Sequence, residues 1–274
     1  MSDWKLTKEI YTTYGKIRYD VQGSGPPIVL LHGTPWSSFN WRHLLPALER
    51  SYTVYYYDLL GYGQSEKRKD QDVSLGIQNQ ILVELLDAWK LESPIIIGHD
   101  FGGTIALRTH LLNEYFFQKI ILIDPIAIAP WGSSFFNHIS NHINAFQNNP
   151  EFIHEAIIEA YVQSATYKLM TTETLLGIKA PWISIEGQHA FYRQMAQADQ
   201  KYTDELEPLY DNISIPTLIV WGENDPWIPV DRAHKLHKAI PGSHLELIPN
   251  TGHLVQEETP THLLACINDF LMNN

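Results

Sequence analysis

Residues 95–103 read Ile-Ile-Ile-Gly-His-Asp-Phe-Gly-Gly. A β-branched apolar run ends in glycine, and Asp100 stands between Gly98 and Gly102 in the spacing Gly-x-Asp-x-Gly. This is the pattern of a nucleophile elbow, a sharp strand-to-helix turn that exposes one side chain above the end of a buried strand. Its flanking residues must be small because the turn brings backbones together. The helix that follows turns its free N–H groups and the positive end of its dipole toward that side chain, which suits a carboxylate. Taken alone, the same pattern also describes a helix cap or a turn aspartate. The rest of the chain has to decide.

Three further stretches place chemistry at strand ends. His32-Gly33-Thr34-Pro35 follows the apolar run Pro27–Leu31. In an elbow architecture this loop gives one backbone N–H of an oxyanion hole, and the residue after the nucleophile gives the other. Here the donors are the amides of Thr34 and Phe101. Trp221-Gly222-Glu223-Asn224-Asp225 puts an acid after a later strand, and Asn250-Thr251-Gly252-His253 puts a histidine after the last. The order nucleophile, acid, histidine is the one the elbow requires. Asp124, at the end of Ile120–Ile123, is an alternative acid, since both strand ends can reach the histidine. Whichever is unused reads as a cap or turn residue.

A carboxylate nucleophile defines its own chemistry. A serine that attacks a saturated carbon makes an ether, which water does not cleave. A carboxylate makes an ester, which water can. Asp100, ionised at neutral pH, needs no base for the first step. In the second, His253 takes a proton from water that attacks the ester carbonyl, the Thr34 and Phe101 amides hold the oxyanion, and Asp225 orients the imidazole.

The elements that must position these residues are legible as runs. Pro27–Leu31, Thr53–Tyr57, Ile95–Ile97, Ile120–Ile123 and Thr217–Trp221 are apolar and β-branched or aromatic without alternation, as strands covered on both faces are. Helical patterns over 74–91 and 103–112 separate them, which argues for α/β architecture with a parallel sheet. Residues 6–11 and 16–21 alternate, as an antiparallel edge would. Residues 127–212 hold no buried strand and are too many for a loop. They read as a helical lid inserted into a core made of 1–126 and 213–274. The rhythm resumes with a helix over 231–239, a strand over 244–248 and a final helix from Thr259.

Of the 274 residues, 44% are hydrophobic and 18% charged, as in a globular protein. A net charge of −12 argues against nucleic acid and anionic membrane surfaces as partners. No window approaches a membrane span. Met1-Ser2-Asp3-Trp4-Lys5 does not begin a signal peptide. Cys266, the one cysteine, reads as a small buried apolar residue and excludes an internal disulfide. The expected compartment is the cytoplasm, and the composition assigns no oligomeric state. His138 and His142 are four apart, but no carboxylate or cysteine completes a ligand set, so no metal is expected.

The set His-Gly-x-Pro, Asp58-x-x-Gly-x-Gly-x-Ser65, Gly-x-Asp-x-Gly-Gly, Gly222-x-x-Asp225 and Gly252-His253 resembles the α/β-hydrolases. With aspartate at the elbow it is similar to the branch holding haloalkane dehalogenases, fluoroacetate dehalogenases and epoxide hydrolases. The resemblance implies a mostly parallel eight-stranded sheet flanked by helices, with a helical cap after strand 6. It implies a hydrolase forming an alkyl ester on Asp100 of an Asp-His-Asp triad, with no cofactor, acting on a small apolar molecule. In haloalkane dehalogenases side-chain N–H groups next to the nucleophile and in the His-Gly-Asn-Pro loop hold the halide; Phe101 and Thr34 stand there in this chain. Trp36, Trp131 or Trp182 are the remaining candidates. Ala190-Phe191-Tyr192-Arg193 resembles the tyrosine–arginine pair of the epoxide hydrolase lid. That makes Tyr192 the candidate proton donor, with Tyr161 or Tyr167 as its partner. Epoxide hydrolysis therefore ranks ahead of haloalkane or haloacid dehalogenation. A non-catalytic binding protein of the same fold is the third reading, against which the complete triad stands.

Overall fold

The computed structural model describes residues 4–273. Residues 1–3, which carry part of the signal-peptide expectation, lie outside the described residues. The strands β1 (Lys8–Thr12), β2 (Gly15–Gly23), β3 (Pro27–Leu31), β4 (Thr53–Tyr57), β5 (Ile95–His99), β6 (Lys119–Ile123), β7 (Thr217–Gly222) and β8 (His244–Ile248) form one sheet. Its order is β1-β2-β4-β3-β5-β6-β7-β8. Strands β3 to β8 pair in parallel, while β1 and β2 form the antiparallel edge. This is the expected eight-stranded architecture.

Every residue of β5, β6 and β7 is buried. Successive side chains point to opposite faces. Val29, Leu31, Ile96, Ile120 and Leu122 join the core that continues into the lid. Ile28, Leu30, Ile97, Ile121 and Ile123 pack on the other face with Leu263, Ile267 and Phe270 of the C-terminal helix.

Eight helices have eight or more residues among those described: α1 (Leu75–Ala88), α2 (Phe101–Leu112), α3 (Ser134–Asn141), α4 (Glu151–Gln163), α5 (Thr172–Lys179), α6 (Ile185–Ala196), α7 (Asp231–Ala239) and α8 (Pro260–Asn273). None is long and apolar enough to cross a membrane. Between β6 and β7 the chain is helical, with α3 to α6 in this insertion. Ser133, Thr171 and Ser184 start three of them by accepting N–H bonds from Phe136, Thr174 and Gly187. The end of α6 is pinned to the core: Arg193 donates to the Arg68 and Lys69 carbonyls, and Gln197 pairs with Val73 N–H at 2.7 Å and the Gln71 carbonyl at 3.1 Å.

The chain leaves β3 for β4 on one side and returns to β5 on the other. The strand order therefore reverses between β3 and β5, and the crevice beyond their carboxyl ends is where an open α/β sheet binds ligand. Leu31 and Gly98 pair at those ends, which brings the Thr34 loop and Asp100 to the same crevice.

Candidate active site

Asp100 lies between β5 and α2 with φ 54° and ψ −120°. A non-glycine residue held there is strained by about 1–3 kcal/mol and persists only where its surroundings dictate it. A Cβ on Gly98 would lie 2.5 Å from the Gly102 carbonyl oxygen, and one on Gly102 would lie 2.2 Å from that of Leu31. Gly33 is equally constrained: its Cβ would lie 2.3 Å from Asp100 Oδ1. The Asp100 side chain does not cap α2. Its Oδ1 accepts the Thr34 N–H at 2.7 Å, and its Oδ2 stands 3.2 Å from His253 Nε2. Phe101 N–H, the first of α2, has no intrahelical acceptor.

The loop after β8 holds His253 between lid and core. Its N–H donates to the Ala165 carbonyl at 2.8 Å, and its own carbonyl accepts from His99 Nε2 at 2.8 Å. Burial keeps His99 far below the usual histidine range, so it is a neutral donor that anchors the His253 loop, a task its sequence neighbourhood does not reveal.

Asp225 Oδ2 lies 2.8 Å from His253 Nδ1, and its Oδ1 accepts the N–H groups of Trp227 at 2.7 Å and Ile228 at 2.9 Å. Asp124 takes only the Gly222 N–H at 2.9 Å through Oδ1, while its buried Oδ2 has no partner. Burial, then the charge of Asp225, pushes the Asp124 carboxyl well above the usual carboxylate range and disfavours its charged form. Of the two candidate acids, Asp225 makes the hydrogen bond to the histidine. For His253, burial opposes the charged form, but Asp225 and Asp100 outweigh it and raise its pKa well above the ordinary value. Asp124, Asp225 and His253 place ligand-type atoms within 4.8 Å of one another. Both imidazole nitrogens are engaged by carboxylates, however, so the trio is not a free ligand set.

A chamber of about 40 Å³ adjoins Asp100, walled by Thr34, Trp131, Phe136, Tyr161 and Trp227 among others, with no lysine or arginine in its lining. An outer apolar groove of about 530 Å³ shares Ser133, Tyr161 and Trp227 with it. The Tyr161 and Trp227 rings stack at 4.6 Å and 27° between the two spaces.

The lid residues singled out in the sequence divide. Tyr161 lines the chamber, and its hydroxyl makes no hydrogen bond. Tyr192 does not line it: its hydroxyl meets His154 Nδ1 at 2.9 Å, and burial pushes its pKa up to about 12. Trp131 lines the chamber, but its Nε1 donates to Thr203 at 2.8 Å, and Trp182 Nε1 donates to the Pro35 carbonyl at 2.9 Å. Trp36 stacks on Trp227 at 5.5 Å outside the chamber lining, with its buried Nε1 unpartnered. Tyr167 is exposed. Sequence reading missed Trp227, which also packs 5.2 Å from the His253 ring, although its position two residues after Asp225 was a usable signal. It also missed Gln194, which reaches Thr34 and Tyr62 from α6.

A strand-turn-helix elbow at the switch point of such a sheet, with a histidine and an acid behind it, defines the α/β-hydrolase class. The chain belongs to that family, since the profile described as "Alpha/beta hydrolase family" matches residues 28–265. It is similar to a solved alpha/beta hydrolase fold protein from Burkholderia ambifaria, at 41% identity and TM-score 0.94 over 97% of this chain and 98% of that one. A soluble epoxide hydrolase of Corynebacterium sp. (strain C12) is 28% identical over 91% of each chain. A haloalkane dehalogenase from Agrobacterium tumefaciens C58 shares the fold, at 20% identity and TM-score 0.82 over 97% and 96% of the two chains.

Proposed function

We propose that this hydrolase opens small neutral epoxides through an alkyl ester on Asp100. The observation that carries the reading is the Asp100 carboxylate itself, uncapped, facing both His253 and a chamber. Oδ1 already sits on the Thr34 N–H, so Oδ2 is the attacking atom and Oδ1 the future carbonyl oxygen. Oδ2 bonds to the epoxide carbon as its C–O bond breaks, and Tyr161, half-buried and with its pKa raised by desolvation so that it is protonated at neutral pH, donates to the departing oxygen. His253 then takes a proton from water, hydroxide adds to Cγ, and the Thr34 and Phe101 amides hold the oxyanion. Collapse breaks the Cγ–O bond to the alkyl group, the imidazolium gives its proton to the leaving alkoxide to free the diol, and the proton left on the Asp100 acid returns to the Tyr161 phenolate. Three features favour epoxides: the Tyr161 hydroxyl is free, the chamber tryptophans have engaged N–H groups, and no cation lines the chamber to hold a haloacid carboxylate. Dehalogenation of neutral alkyl halides is the second reading, favoured by the unpartnered Trp36 Nε1.

His253→Gln tests the mechanism. With 1,2-epoxybutane, intact-mass spectrometry is expected to show a stable adduct of the whole epoxide, mapped to Asp100. The absence of any adduct with epoxides and alkyl bromides alike would sink the ester and favour a binding role.

The histidine also times the cycle. Esterification removes the Asp100 charge, one of the two that hold His253 protonated, so its pKa falls and it becomes a base. The acid limb therefore belongs to the second step. Quenched wild-type enzyme is expected to carry more ester at pH 5 than at pH 8, and equal loading at both would contradict this timing.

A further inference from the structure

Two hydroxyls lie beside the nucleophile without touching it. Thr34 donates its amide to Asp100 Oδ1, and its Oγ1 is on the same residue. The Tyr62 hydroxyl is close enough for the Asp100 charge to add to the burial that raises its pKa. A hydroxyl buried away from water must donate somewhere. Thr34 and Asp100 line the same chamber, and a charge-assisted bond from a neighbouring hydroxyl to the carboxylate would have to weaken before its oxygen could attack carbon. In the structure both protons go elsewhere. Tyr62 donates to Gln194 Oε1 at 3.1 Å, and Thr34 Oγ1 donates to the same oxygen. Gln194 is 2% exposed, so water cannot stand in for it, and its Nε2 has no partner. It belongs to α6, whose neighbouring Arg193 and Gln197 fasten that end of the lid to the core.

We propose that Gln194 is a positioning residue of the first chemical step: its carbonyl oxygen draws the hydroxyl protons of Thr34 and Tyr62 away from Asp100, keeping the carboxylate free to attack. The inference rests on the ester mechanism above. It makes seating of the lid a condition of nucleophile readiness, because the acceptor comes from the lid and the two donors from the core.

The test follows ester formation from 1,2-epoxybutane in the His253→Gln protein by quenched-flow and intact mass. Adding Gln194→Met is expected to slow alkylation roughly tenfold, the effect of about one added hydrogen bond on the carboxylate. Adding Thr34→Val and Tyr62→Phe as well removes both stray donors and is expected to restore the rate to within about twofold of the His253→Gln protein, a coupling that independent losses cannot produce. Unchanged alkylation with Gln194→Met, or a quadruple variant no faster than His253→Gln/Gln194→Met, overturns the proposal. Should the methionine variant not fold, Gln194→Leu in the His253→Gln background takes its place: alkylation slowed by about tenfold, which is 1.36 kcal/mol, supports the proposal, and alkylation at the His253→Gln rate overturns it. No ester in the His253→Gln protein itself ends the mechanism and this inference together, an outcome distinct from the others.

Discussion

Asp225→Asn is expected to slow turnover by about 10⁴-fold, the scale reached when the orienting acid of a hydrolytic triad is neutralised. The asparagine oxygen would keep the Trp227 and Ile228 N–H bonds that now reach Oδ1, so its NH₂ would face His253 Nδ1. Two donors cannot share that contact. The ring must place its proton on Nε2, where it can no longer accept one from water. Asp124→Asn is expected to cost less than about tenfold, or 1.36 kcal/mol. Its amide oxygen would keep the Gly222 N–H, and its NH₂ would replace an oxygen that has no partner. Burial and the charge of Asp225 already disfavour the charged form of Asp124, so a neutral amide suits its surroundings. Stability gives an independent reading of the same difference. A carboxyl whose pKa is raised by folding binds more protons folded than unfolded, so stability falls as pH rises from the unfolded value of 3.8. Asp124→Asn should therefore stabilise the protein at pH 7, with the gain fading toward pH 4 in thermal melts. Activity lost in Asp124→Asn and kept in Asp225→Asn would transfer the acid's role between them.

The parts of the site that were legible in the sequence are those enforced by local geometry. The elbow must be Gly-x-Asp-x-Gly because Cβ atoms at 98 and 102 would strike backbone. Asp100, Asp225 and His253 follow strands whose apolar runs are visible, and a parallel sheet delivers every such end to one edge. The lid obeys no such rule. Tyr192 carries the local motif, yet a buried histidine 38 residues earlier takes its hydroxyl. Tyr161 carries no motif, yet helix packing turns it into the chamber. Gln194 meets Thr34 across 160 residues, and His99 meets His253 across 154. Such pairings depend on how helices seat on the sheet, which hydrophobic periodicity leaves open. Cys266, by contrast, was misjudged locally: it is half-buried on α8, on the margin of the apolar face.

Tyr161→Phe is expected to lower kcat for epoxides by about 10²–10⁴-fold, the usual worth of a positioned general acid. An epoxide oxygen leaves as an alkoxide, a poor leaving group unless it is protonated as the C–O bond breaks. Bromide leaves without a proton. The same substitution should therefore change turnover of an alkyl bromide, if the enzyme accepts one, by less than about tenfold. Packing is preserved in both cases, since phenylalanine keeps the ring that stacks on Trp227 at 4.6 Å. Tyr192→Phe serves as the contrast: it removes the hydrogen bond to His154 and is expected to cost about 1 kcal/mol of stability, with little effect on the chemical step. The split between substrates is what identifies an acid, because damage to the chamber or to its entrance would slow both reactions alike. If Tyr192→Phe abolishes epoxide turnover while Tyr161→Phe does not, the proton comes from the residue that carries the motif. The lid would then have to release the Tyr192 hydroxyl from His154 and turn it toward Asp100 when substrate enters.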